Sequence, residues 1–376
     1  MKTQVYMVRH CESEGNACRR SHAQFDGFVT RKGLKQAEAL AKRFADIHVD
    51  AIYSSDAYRA RMTAAPLAAQ KGLRVQYRML LREYTIGTWE GASIGYTART
   101  FPDLWDIWTT RPYDNTIPGC DRFPVVADRG YEIIRRMAEE HPGGTVVAIT
   151  HTCTLNCTLS KVLGKDISYY SQIPGGDNTA VTLIEVDEDG SMEVKYMADT
   201  SHLPDELLRK NYTGRSIATN MAFEYGLTAA DRAGRFTEMA GELAKQYPAL
   251  YSVDDLTAKA DAALQQGKRY VVYGMLLERN CGLAVVSRRP DMGEDYGQLD
   301  ALYVAPDLRF KGYIEQMFGE ALDMVRRDGC RYLLVRTNGD EHLQYLVDRF
   351  CFEPVEGQEN LYAVRITVPG AEGPIY

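Results

Sequence analysis

Two histidines each stand directly behind a short apolar run, His10 after Tyr6-Met7-Val8-Arg9 and His151 after the TVVAIT stretch from Thr145 to Thr150. Arg9 precedes the first histidine, and Arg59 follows the serine pair Ser54-Ser55 and opens a helical segment. A neutral imidazole near pH 7 serves as nucleophile or proton carrier. Two guanidinium groups offer planar donor forks that suit a phosphate dianion in both shape and charge. Together these residue types can hold a phosphate dianion, provided that distant stretches of chain bring them to one place.

The positioning elements read as alternating strands and helices. Val5 to Val8 is an apolar strand, Thr30 to Phe44 a helix with Leu34, Ala37, Ala41 and Phe44 on one face, and Ala51 to Tyr53 a second strand. Ser54 and Ser55 are expected to cap the helix that carries Arg59. The turn Pro142-Gly143-Gly144 introduces the strand that ends at His151. Continuous apolar strands separated by helices predict a buried, mostly parallel sheet in a three-layer α/β/α arrangement. Its strand carboxyl ends form one rim, where both histidines belong.

The chain has 376 residues, beyond the size at which one core usually stops growing, so two domains are expected, 1–203 and 204–376. The polar stretch from Ser201 to Asn211 marks the boundary. A composition of 45% hydrophobic and 25% charged residues excludes disorder, and no apolar run approaches the ~20 residues of a membrane helix. The N-terminus reaches Arg9 and His10 too early for a signal peptide, which points to a cytoplasmic protein without membrane contact. Net charge is -7 and the basic residues are dispersed without the basic stripe a nucleic-acid backbone demands, so no nucleic-acid partner is expected and an anion must be caught by a local cluster. Eight cysteines are too few to frame this chain with disulfides, and His151, Cys153 and Cys157 lack a paired metal-ligand spacing, so reduced thiols and no metal are expected.

The first half resembles the histidine phosphatase superfamily, also called phosphoglycerate mutase-like. RHCESEGN (Arg9 to Asn16) is similar to its RHG-x-x-x-x-N motif, TRKGLKQA to its LT-x-x-G-x-x-QA helix, and SSDAYRARMTA (Ser54 to Ala64) to its SS-x-x-x-RA-x-x-TA run. LREYTIGTWEG (Leu81 to Gly91), ITHT at His151 and ADTSHL (Ala198 to Leu203) continue the resemblance in order. It implies phosphoryl transfer through a phosphohistidine on His10, with Arg9, Arg59 and His151 around the phosphoryl oxygens. Glu83 would protonate the departing alkoxide and then activate water, and Asn16, also readable as a turn residue, would bond a phosphoryl oxygen. No cofactor or metal is implied. The family has glycine after each histidine, whereas here Cys11 follows His10 and Thr152-Cys153 follow His151, and the two cysteines are expected to face each other near the pocket. A cysteine-phosphatase spacing is absent, since Ala17 lies six positions after Cys11.

The second half reads as two helices opened by Thr228 to Asp231 and Ser252 to Asp255, then strands Tyr270 to Leu277 and Cys281 to Ser287 with a turn around Asn280. A strand ending at Val304-Ala305-Pro306, a long helix from about Gly312 to Arg327, the strand Tyr332 to Arg336 and a helix near His342 to Arg349 follow. This order resembles the GNAT-type N-acetyltransferase fold, an α+β mixed sheet. The resemblance implies acetyl-CoA as ligand, held by Val304, Arg309, Lys311, Gly312, Tyr313 and Asn338. Ile314 replaces the family's last small loop residue, Val347 its acid tyrosine and Cys351 its glycine. Tyr345 lies two positions before Val347, about 200° around the helix.

The function expected first is a phosphatase for a small phosphorylated metabolite, with a GNAT-like acyl-CoA-binding domain behind it. The stretch after Gly91 carries no obvious basic insertion for a second phosphate, which favours hydrolysis over a phosphoglycerate mutase-type transfer. The alternatives are a protein that is bifunctional or primarily an N-acetyltransferase, and a non-catalytic sensor of both ligands. Specificity is expected in the segment from Gly91 to Arg122, with Tyr96, Trp105, Trp108, Arg111 and Tyr113 as a lid or as core.

Overall fold

The computed structural model describes residues 2–209, 219–267 and 269–368. These group into two compact units. The first takes the described residues of 1–13, 21–91 and 102–210, and the second those of 14–20, 92–101 and 211–376.

The first unit is built on a six-stranded sheet of β1 (Thr3–Arg9), β2 (Ala51–Ser54), β3 (Val75–Tyr77), β4 (Thr145–Thr150), β5 (Val181–Val186) and β6 (Met192–Asp199). Their order is β3-β2-β4-β1-β5-β6, with β3, β2, β4 and β1 parallel and β5 and β6 antiparallel. Side chains alternate across a strand, so both faces of a central strand need cover. Val5, Met7, Ala51, Tyr53, Val146 and Ala148 pack under helices Phe123–Glu140 and Thr152–Val162. The intervening Tyr6, Val8, Ile52, Val147 and Ile149 pack on the other side under Arg31–Arg43 and Tyr58–Lys71. The three layers expected from the apolar strands are therefore present.

Register sets what meets at the rim. Arg9 of β1 pairs with Thr150 of β4, and Ser54 of β2 with Ile149. His10, His151 and Ser55 consequently leave neighbouring parallel strands at nearly one level. Glu83 arrives from β3 through the short turn Met79–Leu81, and the Thr150 hydroxyl donates to the Leu81 carbonyl at 2.9 Å to hold that turn against β4.

The second unit has a seven-stranded sheet of β7 (Ala222–Tyr225), β8 (Val271–Leu276), β9 (Arg279–Arg288), β10 (Tyr296–Val304), β11 (Tyr332–Arg336), β12 (Glu353–Pro354) and β13 (Leu361–Arg365) in the order β12-β13-β11-β10-β9-β8-β7. Among the described residues β10–β11 is its one parallel pair. The turn between β8 and β9 falls at Leu277-Glu278, two residues before Asn280, because Arg279 already pairs with Leu276. Helix Tyr313–Arg327 is buried from Tyr313 through Arg326. Within this unit Glu14, fully buried, accepts both Arg326 Nη atoms at 3.0 and 2.8 Å, and Arg20 meets Glu320 at 2.9 Å and Asp323 at 3.0 Å.

Candidate active site

His10 is only 4% exposed, and its Nδ1 lies 2.7 Å from the Cys11 carbonyl. A carbonyl can only accept, so the ring proton sits on Nδ1 and the lone pair on Nε2. His151 has the opposite arrangement. The Arg59 guanidinium, which can only donate, lies 3.1 Å from its Nδ1, so in the neutral ring Nε2 carries the proton and gives it to Ser55 Oγ at 2.9 Å. The two ring centroids are 5.1 Å apart, and that of His22 is 6.0 Å from His10.

Burial holds both imidazoles well below their ordinary range, helped for each by the positive charge of Arg59. Burial also lowers His202 to about 4. A depressed histidine lets the unfolded chain bind protons that the folded chain refuses, so stability is complete above pH 6.5 and falls as pH drops from 6.5 toward 4. Each such ring contributes a slope of about 1.4 kcal/mol per pH unit. Urea midpoints are expected to fall steeply between pH 7 and pH 5, with the His10 and His151 ring resonances keeping neutral shifts through pH 6.5. A ring titrating near 6.5 in the folded protein contradicts this.

Arg59 is fully buried, and four groups hold its side chain. Its Nη atoms donate to the carbonyls of Ala23 at 2.8 Å and Phe25 at 3.2 Å, to Asp26 Oδ1 at 3.2 Å and to His151. Asp26 also caps the Arg59 helix by accepting the Tyr58 amide. The expected serine cap is thus corrected: the helix N-cap is Ala57, with no side-chain cap of its own, and Ser55 serves His151. Glu90 in turn accepts the Ala23 and Phe25 amides at 2.8 and 2.5 Å, which fixes the loop whose carbonyls fix Arg59. Arg9 donates to the Gly176 carbonyl at 2.8 Å, and burial lowers its guanidinium to about 10. The Nε atoms of Arg9 and Arg59 are both buried without a hydrogen-bond partner among the described residues, so each guanidinium keeps one donor for an anion.

Glu83 is 8% exposed and sits at the N-terminus of helix Thr152–Val162, the helix that His151 begins. Its Oε1 accepts the Thr154 amide at 2.9 Å and hydroxyl at 3.0 Å, and its Oε2 the Cys153 amide at 3.2 Å. Helix-terminal amides orient the carboxyl.

Five of the residues expected for this site, Arg9, His10, Arg59, Glu83 and His151, are therefore in the first unit at one end of its parallel strands. Asn16 lies on the four-residue helix Glu14–Ala17, which groups with the second unit, so the arrangement above is built without it. Cys11 and Cys153 form no disulfide and have different neighbours: Cys11 packs with Val29 and Ala37, and Cys153 Sγ meets the Tyr170 hydroxyl at 2.8 Å. Trp105 is core, packed on Trp89, whereas Trp108 stacks on Tyr84 beside Glu83 with centroids 5.6 Å apart.

In the second unit, Val304 is the buried end of β10, and Gly312 takes a left-handed φ of 82° as the N-cap of Tyr313–Arg327, with open space where a Cβ would be. Arg309 Nε and Nη2 are buried without partners among the described residues, and Lys311 Nζ donates to the Asp307 carbonyl at 2.8 Å. Tyr313 is buried, and Asn338 has φ 44° in the turn after β11.

Residues 5–200 match the histidine phosphatase superfamily (branch 1), and residues 236–349 match the acetyltransferase (GNAT) family. Phosphoserine phosphatase 1 of Hydrogenobacter thermophilus is 29% identical over 199 residues, which span 53% of this chain and 93% of that protein. The probable phosphoglycerate mutase GpmB of Salmonella choleraesuis is 30% identical over 161 residues, 43% of this chain and 75% of that one. The solved structure of YhfR from Bacillus stearothermophilus superposes with a TM-score of 0.51 at 30% identity, covering 53% of this chain and 98% of its own. With the paired imidazoles, the buried guanidiniums and the helix-bound carboxylate in the matched region, the chain belongs to the histidine phosphatase superfamily, with a phosphatase- or mutase-type domain followed by a GNAT domain.

Proposed function

We propose that the first unit is a phosphatase that hydrolyses a small phosphate monoester through a phosphohistidine on His10. The observation that carries this is the His10 tautomer, since the Nδ1 contact with the Cys11 carbonyl leaves a neutral ring with its lone pair on Nε2. Nε2 attacks phosphorus as the bond to the departing alcohol breaks, and Glu83 supplies the alcohol's proton. The carboxylate then takes a proton from water as the water oxygen attacks phosphorus and the P–N bond breaks, which releases inorganic phosphate and restores His10. Arg9 and Arg59 meet the phosphoryl charge with their unpartnered Nε donors, and the field of the Arg59–His151 pair stabilises it as it spreads in the transition state. The similarity to a phosphoserine phosphatase over 93% of that protein supports hydrolysis.

Rapid quenching during turnover of p-nitrophenyl phosphate tests the reading. An acid-labile phosphoryl group on the His10 peptide is expected, and an acid-stable ester or no phosphoryl protein overturns it. Glu83→Gln is expected to give a burst of p-nitrophenolate followed by turnover slowed about 10²- to 10⁴-fold, because this leaving group departs unprotonated whereas water still needs a base. Steady turnover without a burst contradicts the role of Glu83.

For the second unit we propose that acyl-CoA binds at the start of helix Tyr313–Arg327. Gly312 and the amides that follow it without a side-chain cap, with Arg309 Nε and Nη2 buried and without partners among the described residues, fit a diphosphate. Lys311 lies next to them in sequence, Val304 ends β10, and Asn338 lies in the turn that follows β11. When bound, CoA supplies an activated thioester; these residues hold and orient it.

A further inference from the structure

The second unit's sheet opens at its parallel pair. β10 and β11 pair only over Tyr296–Leu299 and Tyr332–Val335, while β10 keeps its β9 partner as far as Val304. The last residues of β10 thus lose their β11 neighbour, and open sheets take ligands beyond the carboxyl ends of parallel strands. The segment after β10 leads to Arg309 and Gly312, and that after β11 leads to Asp340 and helix Glu341–Arg349.

A cluster with no role so far lies at the second of these places. Asp340 is fully buried; its Oδ1 caps the helix by accepting the His342 and Leu343 amides at 2.8 and 3.2 Å, and its Oδ2 accepts the Tyr251 hydroxyl at 3.1 Å. His342 Nδ1 lies 2.8 Å from the Tyr247 hydroxyl. His342 Nε2 is buried with no hydrogen-bond partner among the described residues. Such an atom destabilises the fold unless something else meets it. Burial and the charge of Asp340 raise the Tyr247 hydroxyl while Arg309 opposes them, so this tyrosine feels the loops behind both strands. The helix positions that the family resemblance would use are otherwise engaged: Val347 is buried and apolar, and the Tyr345 hydroxyl donates to Glu315 at 2.6 Å.

We propose that His342 and Tyr247 form the proton-handling pair of an acyl transfer in the second unit, from an acyl-CoA thioester to a primary amine. This rests on the acyl-CoA reading above. His342 Nε2 takes a proton from the amine as its nitrogen bonds to the thioester carbonyl carbon. The C–S bond then breaks, the thiolate leaves with the electron pair, and the amide remains. The Nδ1 proton stays in its bond to the Tyr247 oxygen, and Asp340 Oδ1, 3.7 Å from Nδ1, meets the charge that develops on the ring.

Bromoacetyl-CoA is the probe, because its reactive carbon reports which nucleophile faces the acyl group: an N–C bond forms and bromide leaves. With the full chain, an adduct on the His342 peptide is expected, blocked by excess acetyl-CoA and absent in His342→Gln. Tyr247→Phe is expected to slow labelling roughly three- to tenfold, the worth of one hydrogen bond. Calorimetry with acetyl-CoA separates the two readings. Acetyl-CoA binding with the adduct on another residue, or with His342→Gln labelled as fast as the parent, overturns the pair and leaves acyl-CoA binding standing. No acetyl-CoA binding by the parent protein overturns both.

Discussion

His10→Ala is expected to lower kcat toward p-nitrophenyl phosphate by on the order of 10⁴-fold or more, as removal of a covalent nucleophile does elsewhere. Two of its neighbours are unsuited to take its place. The His151 ring is committed on both nitrogens, Nδ1 to Arg59 and Nε2 to Ser55. The Cys11 thiol, pushed up to about 12 by burial, lies among Val29 and Ala37. Loss of a mostly buried ring leaves a small cavity, so the variant should be less stable by about 1–3 kcal/mol and remain folded. A folded variant by circular dichroism that keeps activity within tenfold of the parent would sink the phosphohistidine mechanism.

Arg59→Ala is expected to cost both activity and fold, about 3–5 kcal/mol in urea unfolding and at least ~10³-fold in kcat/KM. The reason is how much of the rim this guanidinium completes. Asp26, which burial already holds above the usual carboxylate range, would lose its cation, two carbonyls of the 22–26 loop their donor, and His151 Nδ1 the guanidinium that donates to it. Arg59→Lys should recover stability in part and activity little, since one ammonium cannot reproduce a fork that reaches a carboxylate, two carbonyls and an imidazole together. A lysine variant with full activity would show that charge alone matters there.

The main features of the first unit were legible because they are local. TVVAIT is apolar at every position, which requires cover on both faces, and the histidine placed just beyond it follows from strand register. Glu83 and Glu90 stand together in the LREYTIGTWEG run, yet the sequence points to a role for Glu83 alone, because an acidic side chain behind a tryptophan looks the same whether it meets solvent or backbone amides. Asp26 belongs to no quoted motif. The one clue to it is physical: a guanidinium buried as Arg59 is needs a carboxylate from some distant segment. Serine before a helix usually caps it, yet for Ser55 the tertiary contact with His151 outweighs that local preference. In the second half the GNAT-like order of elements was readable, whereas the Tyr247–His342 contact joins residues 95 positions apart and leaves no local trace.

Glu14 and Arg326 are separated by 312 positions, yet they form a bidentate pair that water does not reach. A ribosome releases the carboxylate early and its guanidinium only near the end of translation. Until then Glu14 must stay hydrated, so the region around it finishes folding after synthesis is nearly complete, and a polypeptide cut between the two halves would retain an acidic group with its intended counter-ion missing.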